Sequence, residues 1–347
     1  MPHRFLARLN LIGALLALLI VSVGAYVRLS DAGLGCPDWP GCYGQIVVPK
    51  SVDEIHPDFG TPNLEPAKAW KEMMHRYLVP PMSLLILFLA FYSLKVRKQF
   101  PKLVHTQWYL LGVVVFQALL GMWTVTLKLH PLVVMSHLLG GITLLELFWW
   151  LTLRYRNIVL SNFPHPPLNL RGGERGRYFN APTLFKLAVV ALIILEIQVA
   201  LGGWTSSNYA ALVCPDFPTC RGSFWPAMDW RHAFQFFREI GPNYEGGLLS
   251  PEARVAIHVT HRIGALVTFI TLSTLAFLCF IKGRGTRLRT LGMILFVAVC
   301  LQIVIGISNV FLLFPVGLAV AHTMGAALLI MSLLAVMDAL RPLKGTL

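Results

Sequence analysis

Apolar residues along this chain gather into eight stretches, approximately 7–28, 68–94, 105–127, 131–153, 184–205, 252–281, 288–311 and 315–339. Each approaches the roughly 20 residues that an α-helix needs to cross a bilayer core. The pattern predicts an all-α polytopic membrane protein with eight transmembrane helices. The first stretch begins too early and runs too long for a cleaved signal. It also lacks a clean small-residue cleavage site and is followed by further spans, so it is expected to persist as the first helix.

The polar positions between and within these stretches recur. CPDWPGC at 36–42 returns as CPDFPTC at 214–220, an offset of 178. EMMHR, with Glu72, His75 and Arg76, returns as HVTHR, with His258, His261 and Arg262, offset by 186. QALLG from Gln117 returns as QIVIG from Gln302, and His137 and His322 each follow that glutamine by 20 residues. Such a period predicts two tandem four-helix bundles in parallel orientation. Their expected bounds are 1–156 and 184–347, joined by a cytoplasmic linker at 157–183.

Composition supports the membrane reading, with 56% apolar residues, 13% charged and a mean hydropathy of +0.66. The net charge of +13 suggests nucleic acid until the charges are placed. Of 29 basic residues, 18 fall on one side: at the N-terminus, in the second and sixth connections, in the fourth connection with Arg171, Arg175 and Arg177, and in the tail with Lys344. By the positive-inside rule that side is the cytoplasm, so both termini are expected inside and both cysteine loops outside. No soluble stretch is large enough to house a basic groove, and nucleic acid is excluded as a partner. The start of the chain has no Arg- and Ser-rich presequence, which places the expected location in a bacterial cytoplasmic membrane, with the lipid bilayer as its first partner.

Ionisable side chains inside a bilayer are costly and mark function by default. His75, His137, His261 and His322 lie about two turns inside the expected outer ends of their helices. His137 follows Pro131 by six residues, about 10 Å of helix. Two imidazoles at matched depth in each bundle suit bis-histidine haem ligation. Gly140, Gly141, Gly264, Gly325 and Ala326 beside them leave room for a flat macrocycle. Zinc fits less well, because no third or fourth ligand appears at that depth. His3, His56, His105, His130, His165 and His232 fall in loops or at helix ends and read as solvated.

Glu72 and His258 occupy corresponding positions, three residues before the ligand candidates. The mismatch predicts one reactive half and one electron-handling half, with interfacial pairing of Glu72 to Lys68 or Arg76 as the plainer alternative. Arg76, Arg262 and Arg28 could meet propionates or reach headgroups. Cys36 with Cys42, and Cys214 with Cys220, face the expected oxidising side, where disulfides persist. A structural staple and a cycling redox pair are both compatible with the spacing. Cys279 and Cys300 lie in apolar helices and read as inert core residues.

GLGCPDWPGC, EMMHR, SHLLGG, HVTHR and AHTMGA together resemble the haem A synthase family over essentially all eight helices. In that family haem O is oxidised at its C8 methyl group, through a hydroxymethyl stage, to the formyl group of haem A, for cytochrome oxidase assembly. The resemblance implies that His75 and His137 bracket haem O as substrate and that His261 and His322 ligate haem b. It implies that Glu72 is the catalytic carboxylate and that Cys36 and Cys42 form the first-loop pair. A second pair like Cys214 and Cys220 is less general in the family. Haem O synthase, an electron acceptor and a second copy of the chain are the implied partners. The alternatives are a b-type cytochrome that leaves its haem unmodified, which a lone carboxylate and ligands near one face disfavour, and a transporter, which lacks paired Gly/Pro-interrupted helices.

Overall fold

The structure is a computed structural model that describes residues 2–59, 64–161 and 181–341. Arg171, Arg175, Arg177, His165 and Lys344 lie outside the described residues, as does most of the expected linker. The helices are α1 (Pro2–Leu29), α2 (Pro66–Ser93), α3 (Pro101–Thr126), α4 (Pro131–Ser161), α5 (Ala181–Ser207), a single turn α6 (Trp230–Ala233), α7 (Pro251–Lys282), α8 (Arg287–Phe311) and α9 (Val316–Leu340). Eight of these are long and apolar enough to cross a membrane, and no strand occurs among the described residues. α4 outruns its apolar stretch by about two turns, because Arg154 and Arg156 continue the helix beyond the apolar boundary.

Local chemistry sets the helix starts. Proline opens α2, α3 and α7, where its missing N–H costs nothing and its fixed φ suits the first turn. The Ser250 side chain caps α7 by accepting from the Ala253 N–H, and Thr286 caps α8 by accepting from the Leu288 N–H. Pro80 and Pro81 lie inside α2 without ending it, as membrane helices allow.

Helix packing forms two closed circuits. α1 touches α2 and α4, and α3 touches α2 and α4; α7 touches α5 and α8, and α9 touches α5 and α8. The circuits meet along α1, α4, α5 and α9. Polar contacts cross that seam at several depths. The Trp149 indole N–H donates to the Met331 carbonyl at 2.8 Å, and the Asn157 amide donates to both Asp338 oxygens at 3.0 and 2.9 Å. At the other end the Arg28 guanidinium donates to the Tyr209 hydroxyl and the Ser206 carbonyl, each at 2.8 Å. A long connection of the second half reaches over the first, where the Tyr244 N–H donates to the Lys128 carbonyl at 3.0 Å.

The placement of the core positions the site. One continuous apolar cluster, from Leu6, Leu89 and Leu103 to Leu151, Leu272, Leu295 and Leu340, fills the end of the molecule that carries the termini. On every helix it stops short of the histidine level: at Val21 on α1, Met82 on α2, Val114 on α3 and Ile142 on α4. The cysteine-loop end has only small separate clusters, one around each disulfide and one around Trp204. Between 17% and 39% of each span's most apolar window is buried, so most of that surface is left for lipid.

α1 and α4 approach closely at Gly13, where a β-carbon would overlap the Phe148 ring, whereas Gly112 on α3 faces open space. Gly13→Ala should therefore cost about 1–3 kcal/mol by overpacking and lower the melting temperature in detergent. Gly112→Ala, measured beside it, should leave the melting temperature unchanged or raise it.

Candidate functional site

Beyond the edge of the core, α2 and α4 present His75 and His137 to one another. Their ring centroids lie 6.4 Å apart with planes at 82°. Two imidazoles that share one metal, each bonded at about 2 Å, place their centroids roughly 6 Å apart, so the spacing fits an iron between them. In the second half His261 on α7 lies within Coulombic range of His322 on α9. Among the described residues no group of three His, Cys, Asp or Glu side chains could hold a metal ion. The donor set is that of paired imidazoles.

Each of the four rings rests on a glycine of the neighbouring helix. A β-carbon at Gly24 would stand 2.9 Å from the His75 Cε1, one at Gly121 3.4 Å from that of His137, one at Gly202 3.3 Å from that of His261, and one at Gly306 3.0 Å from that of His322. Larger residues would push the rings out of place.

Glutamines complete three of the settings. The Gln198 amide nitrogen donates to the His261 carbonyl at 3.0 Å and lies 3.1 Å from its Nδ1. Gln302 does the same to His322, at 2.9 and 3.3 Å. Gln117, with its nitrogen toward His137, reaches that carbonyl at 3.1 Å and Nδ1 at 2.8 Å, while its oxygen accepts from the Gly141 N–H at 3.2 Å. Gln198 was not singled out in the sequence, although QVALG at 198–202 repeats the spacing of QALLG and QIVIG.

Glu72 is buried and committed to the loop above the first pair. One carboxylate oxygen accepts from the Cys36 N–H at 2.9 Å, and the other meets Arg76 at 2.5 Å. Arg76 also donates to the carbonyls of Asp38 at 2.9 Å, Pro40 at 3.3 Å and Gly41. Of the two partners considered for Glu72, the structure selects Arg76, because Lys68 pairs instead with Glu65 at 3.0 Å. Removing either member of a pair this buried costs about 3–5 kcal/mol. In the second half His258 Nδ1 lies 2.8 Å from the Ala210 carbonyl, and Arg262 donates to the carbonyls of Thr219, Asp216 and Cys214 at 2.7, 2.8 and 3.2 Å. The arginines thus grip loop carbonyls; neither propionate nor headgroup contact is needed to explain them.

Both cysteine pairs, Cys36–Cys42 and Cys214–Cys220, are disulfide-bonded and buried. Cys279 and Cys300 are free within α7 and α8. Each disulfide ring is closed a second time by an aspartate that sequence reading passed over. Asp38 accepts from the N–H groups of Tyr43 at 2.6 Å and Gly44 at 3.0 Å. Asp216 accepts from those of Arg221 at 2.6 Å and Gly222 at 2.9 Å, and from the Thr219 hydroxyl at 2.5 Å. Gly44 and Gly222 take φ values of +78° and +75°, a region that favours glycine. Two expectations are corrected. Gly140, Gly264 and Gly325 do not leave open room beside the rings, because the side chains of Gln117, Gln198 and Gln302 fill it. His130 is buried beneath Tyr244, at 5.2 Å between rings, because the long second-half connection folds over it. His56, His105 and His232 are exposed as expected.

The family model described as COX15-CtaA, cytochrome oxidase assembly protein, matches residues 7–334. A heme A synthase of Shewanella oneidensis is 43% identical over 341 residues, covering 97% of this chain and 96% of that protein. Heme A synthases of Caulobacter sp. strain K31 and Neorickettsia sennetsu are 26% and 25% identical, each covering 91% of this chain and respectively 90% and 93% of those proteins.

The Asp216 clasp makes a pH prediction. The Thr219 hydroxyl, then the Gly222 and Arg221 amides, pull its carboxyl from 3.8 down to about 2. A depressed carboxyl contributes fully above its unfolded value and loses that contribution as pH falls through the folded one. Hydrogen-exchange protection of the Arg221 and Gly222 amides should therefore hold above pH 3.8 and fade toward pH 2. Asp216→Asn should expose the Cys214–Cys220 bond to dithiothreitol several-fold faster, scored by thiol alkylation and mass spectrometry. An unchanged rate would mean that other contacts hold the loop.

Proposed function

The chain belongs to the COX15-CtaA family of cytochrome oxidase assembly proteins, the haem A synthase family, and on that premise we propose that it is an enzyme that oxidises haem O to haem A. The proposed reaction takes the C8 methyl group through a hydroxymethyl stage to the formyl group. The observation that carries this reading is the His75–His137 pair, spaced for one iron at the edge of the packed core. These two histidines would bracket the substrate haem O in the bundle of residues 1–156. His261 and His322 would hold haem b in the bundle of residues 184–347. When bound, haem b supplies one-electron transfer.

The rest of the proposal concerns the chain's own groups. The glycine beds under all four rings set their distance from the opposite helix. Glu72, one turn from His75 on the same helix, is the carboxylate that receives the proton lost from the reacting methyl. To do so it must loosen its contact with Arg76, which keeps its place through the loop carbonyls. The loop clasped by Cys36 and Cys42 then serves as a lid that separates the site from bulk solvent. Each oxidation of the methyl group passes two electrons to an acceptor and releases protons, and the oxygen atom of the hydroxymethyl stage is taken from water or dioxygen. A substrate already carrying the haem O substituents requires a haem O synthase upstream. The distribution of basic residues supports a topology with both termini in the cytoplasm of a bacterial cell and the two disulfide loops outside.

The test is haem extraction and mass analysis of protein purified from cells that make haem O. Wild type should carry haem A or its hydroxymethyl precursor, whereas Glu72→Ala and Glu72→Gln should both accumulate haem O. Glutamine keeps an acceptor for the Cys36 N–H but is no base, so an active Glu72→Gln would assign Glu72 to holding the loop. Unmodified haem b alone in every sample would favour an electron-transfer cytochrome.

A further inference from the structure

Three of the four histidines share a setting that the fourth lacks. His137, His261 and His322 are each followed three residues later by a glycine, Gly140, Gly264 and Gly325. At each of these a β-carbon would overlap the amide of the facing glutamine, Gln117, Gln198 or Gln302. The glycine is the groove, and the glutamine fills it. After His75 the corresponding residue is Leu78, and four residues before its bed at Gly24, where the other three helices carry glutamine, stands Ile20. Groove and amide are lost together. The His75 Nδ1 is buried without a side-chain partner, and its ring lies within reach only of the Ile20 backbone carbonyl.

A glutamine can serve both states of a ligating ring. Its nitrogen donates to a bare Nδ1, as the three contacts here display. Coordination through the opposite ring nitrogen places the proton on Nδ1, which then calls for an acceptor. The Gln198 and Gln302 Oε1 atoms are buried without partners and could supply one after a half-turn of the amide. Such outer partners orient ligating histidines and raise their basicity. Ile20 offers His75 its backbone carbonyl but no side-chain donor or acceptor, so no amide ties this ring to its own backbone as Gln117, Gln198 and Gln302 tie the other three.

We propose that His75 is the releasable ligand of the substrate site, the one that lets haem enter and leave, and that Gln117, Gln198 and Gln302 are positioning residues that make the other three ligands permanent. The inference rests on the reading of the four histidines given above. It follows from that reading that a substrate site needs one loose ligand, whereas a resident cofactor site needs none.

The experiment uses the full-length protein loaded with haem O and haem b in detergent. Excess apomyoglobin captures released haem, and chromatography of the haem left on the protein separates the two sites by haem type. Haem O should leave wild type faster than haem b. Ile20→Gln with Leu78→Gly, which installs the missing brace, should slow haem O loss by about 10- to 100-fold and raise the low-spin fraction of that site's visible spectrum. Gln198→Leu should speed haem b loss by a similar factor and leave haem O loss unchanged, which also controls for folding. Should the double variant fail to fold, Gln198→Leu decides alone. Unchanged loss rates in a folded variant overturn the inference while leaving the haem sites intact. Wild type that binds no haem overturns both the inference and the reading beneath it.

Discussion

Inside a bilayer a polar side chain has no water to turn to, and each unmet group costs roughly several kcal/mol. The cysteine-loop end of this molecule is arranged by that constraint. Glu72 enters the membrane end of α2 because Arg76 lies one turn along and the Cys36 N–H lies above. Arg76 is tolerated because loop carbonyls take up its remaining N–H groups. The loop can offer those carbonyls because Asp38 and a disulfide have already bent it into a ring. Each group answers the next, and the chain of answers ends at the histidines.

The same constraint divides the molecule by depth. Apolar side chains pack continuously toward the termini and stop before the imidazoles. Helices packed together at one end can therefore present polar side chains at the other, where the four histidine rings are half-buried. The two halves share this plan and differ at three positions that matter. Glu72 faces His258 in the alignment of halves, and Ile20 with Leu78 faces Gln198 with Gly264. One half carries a carboxylate and a histidine without a glutamine brace, the other a second imidazole and two braced histidines. The proposed chemistry and exchange fall in the half with the looser setting.

Much of this was legible in advance. Eight apolar stretches became eight spanning helices because hydrocarbon tolerates little else. The four histidines stood out because ionisable groups at matched depth are rare without a purpose. Reading failed where a residue's partner lies far along the chain. His130 looked solvated at a helix start, but the connection carrying Tyr244, over a hundred residues later, covers it. Sequence reading sets the arginines against propionates and headgroups alone, whereas Arg76 and Arg262 also grip carbonyls of loops 35 to 48 residues away. Gln198 carried a visible QxxxG spacing whose meaning needed the opposite helix, since only Gly264 explains why an amide fits there.

By itself the sequence determined the number of spans, the recurrence of motifs and the identity of the imidazole candidates. All three depend on composition and spacing within a single helix or loop. The tertiary structure alone decided which rings face each other and at what separation, that Glu72 bonds the Cys36 loop as well as Arg76, and that one histidine of four lacks a glutamine partner. Those facts depend on contacts between helices, and hydropathy along a chain does not encode which side chain meets which across a bundle.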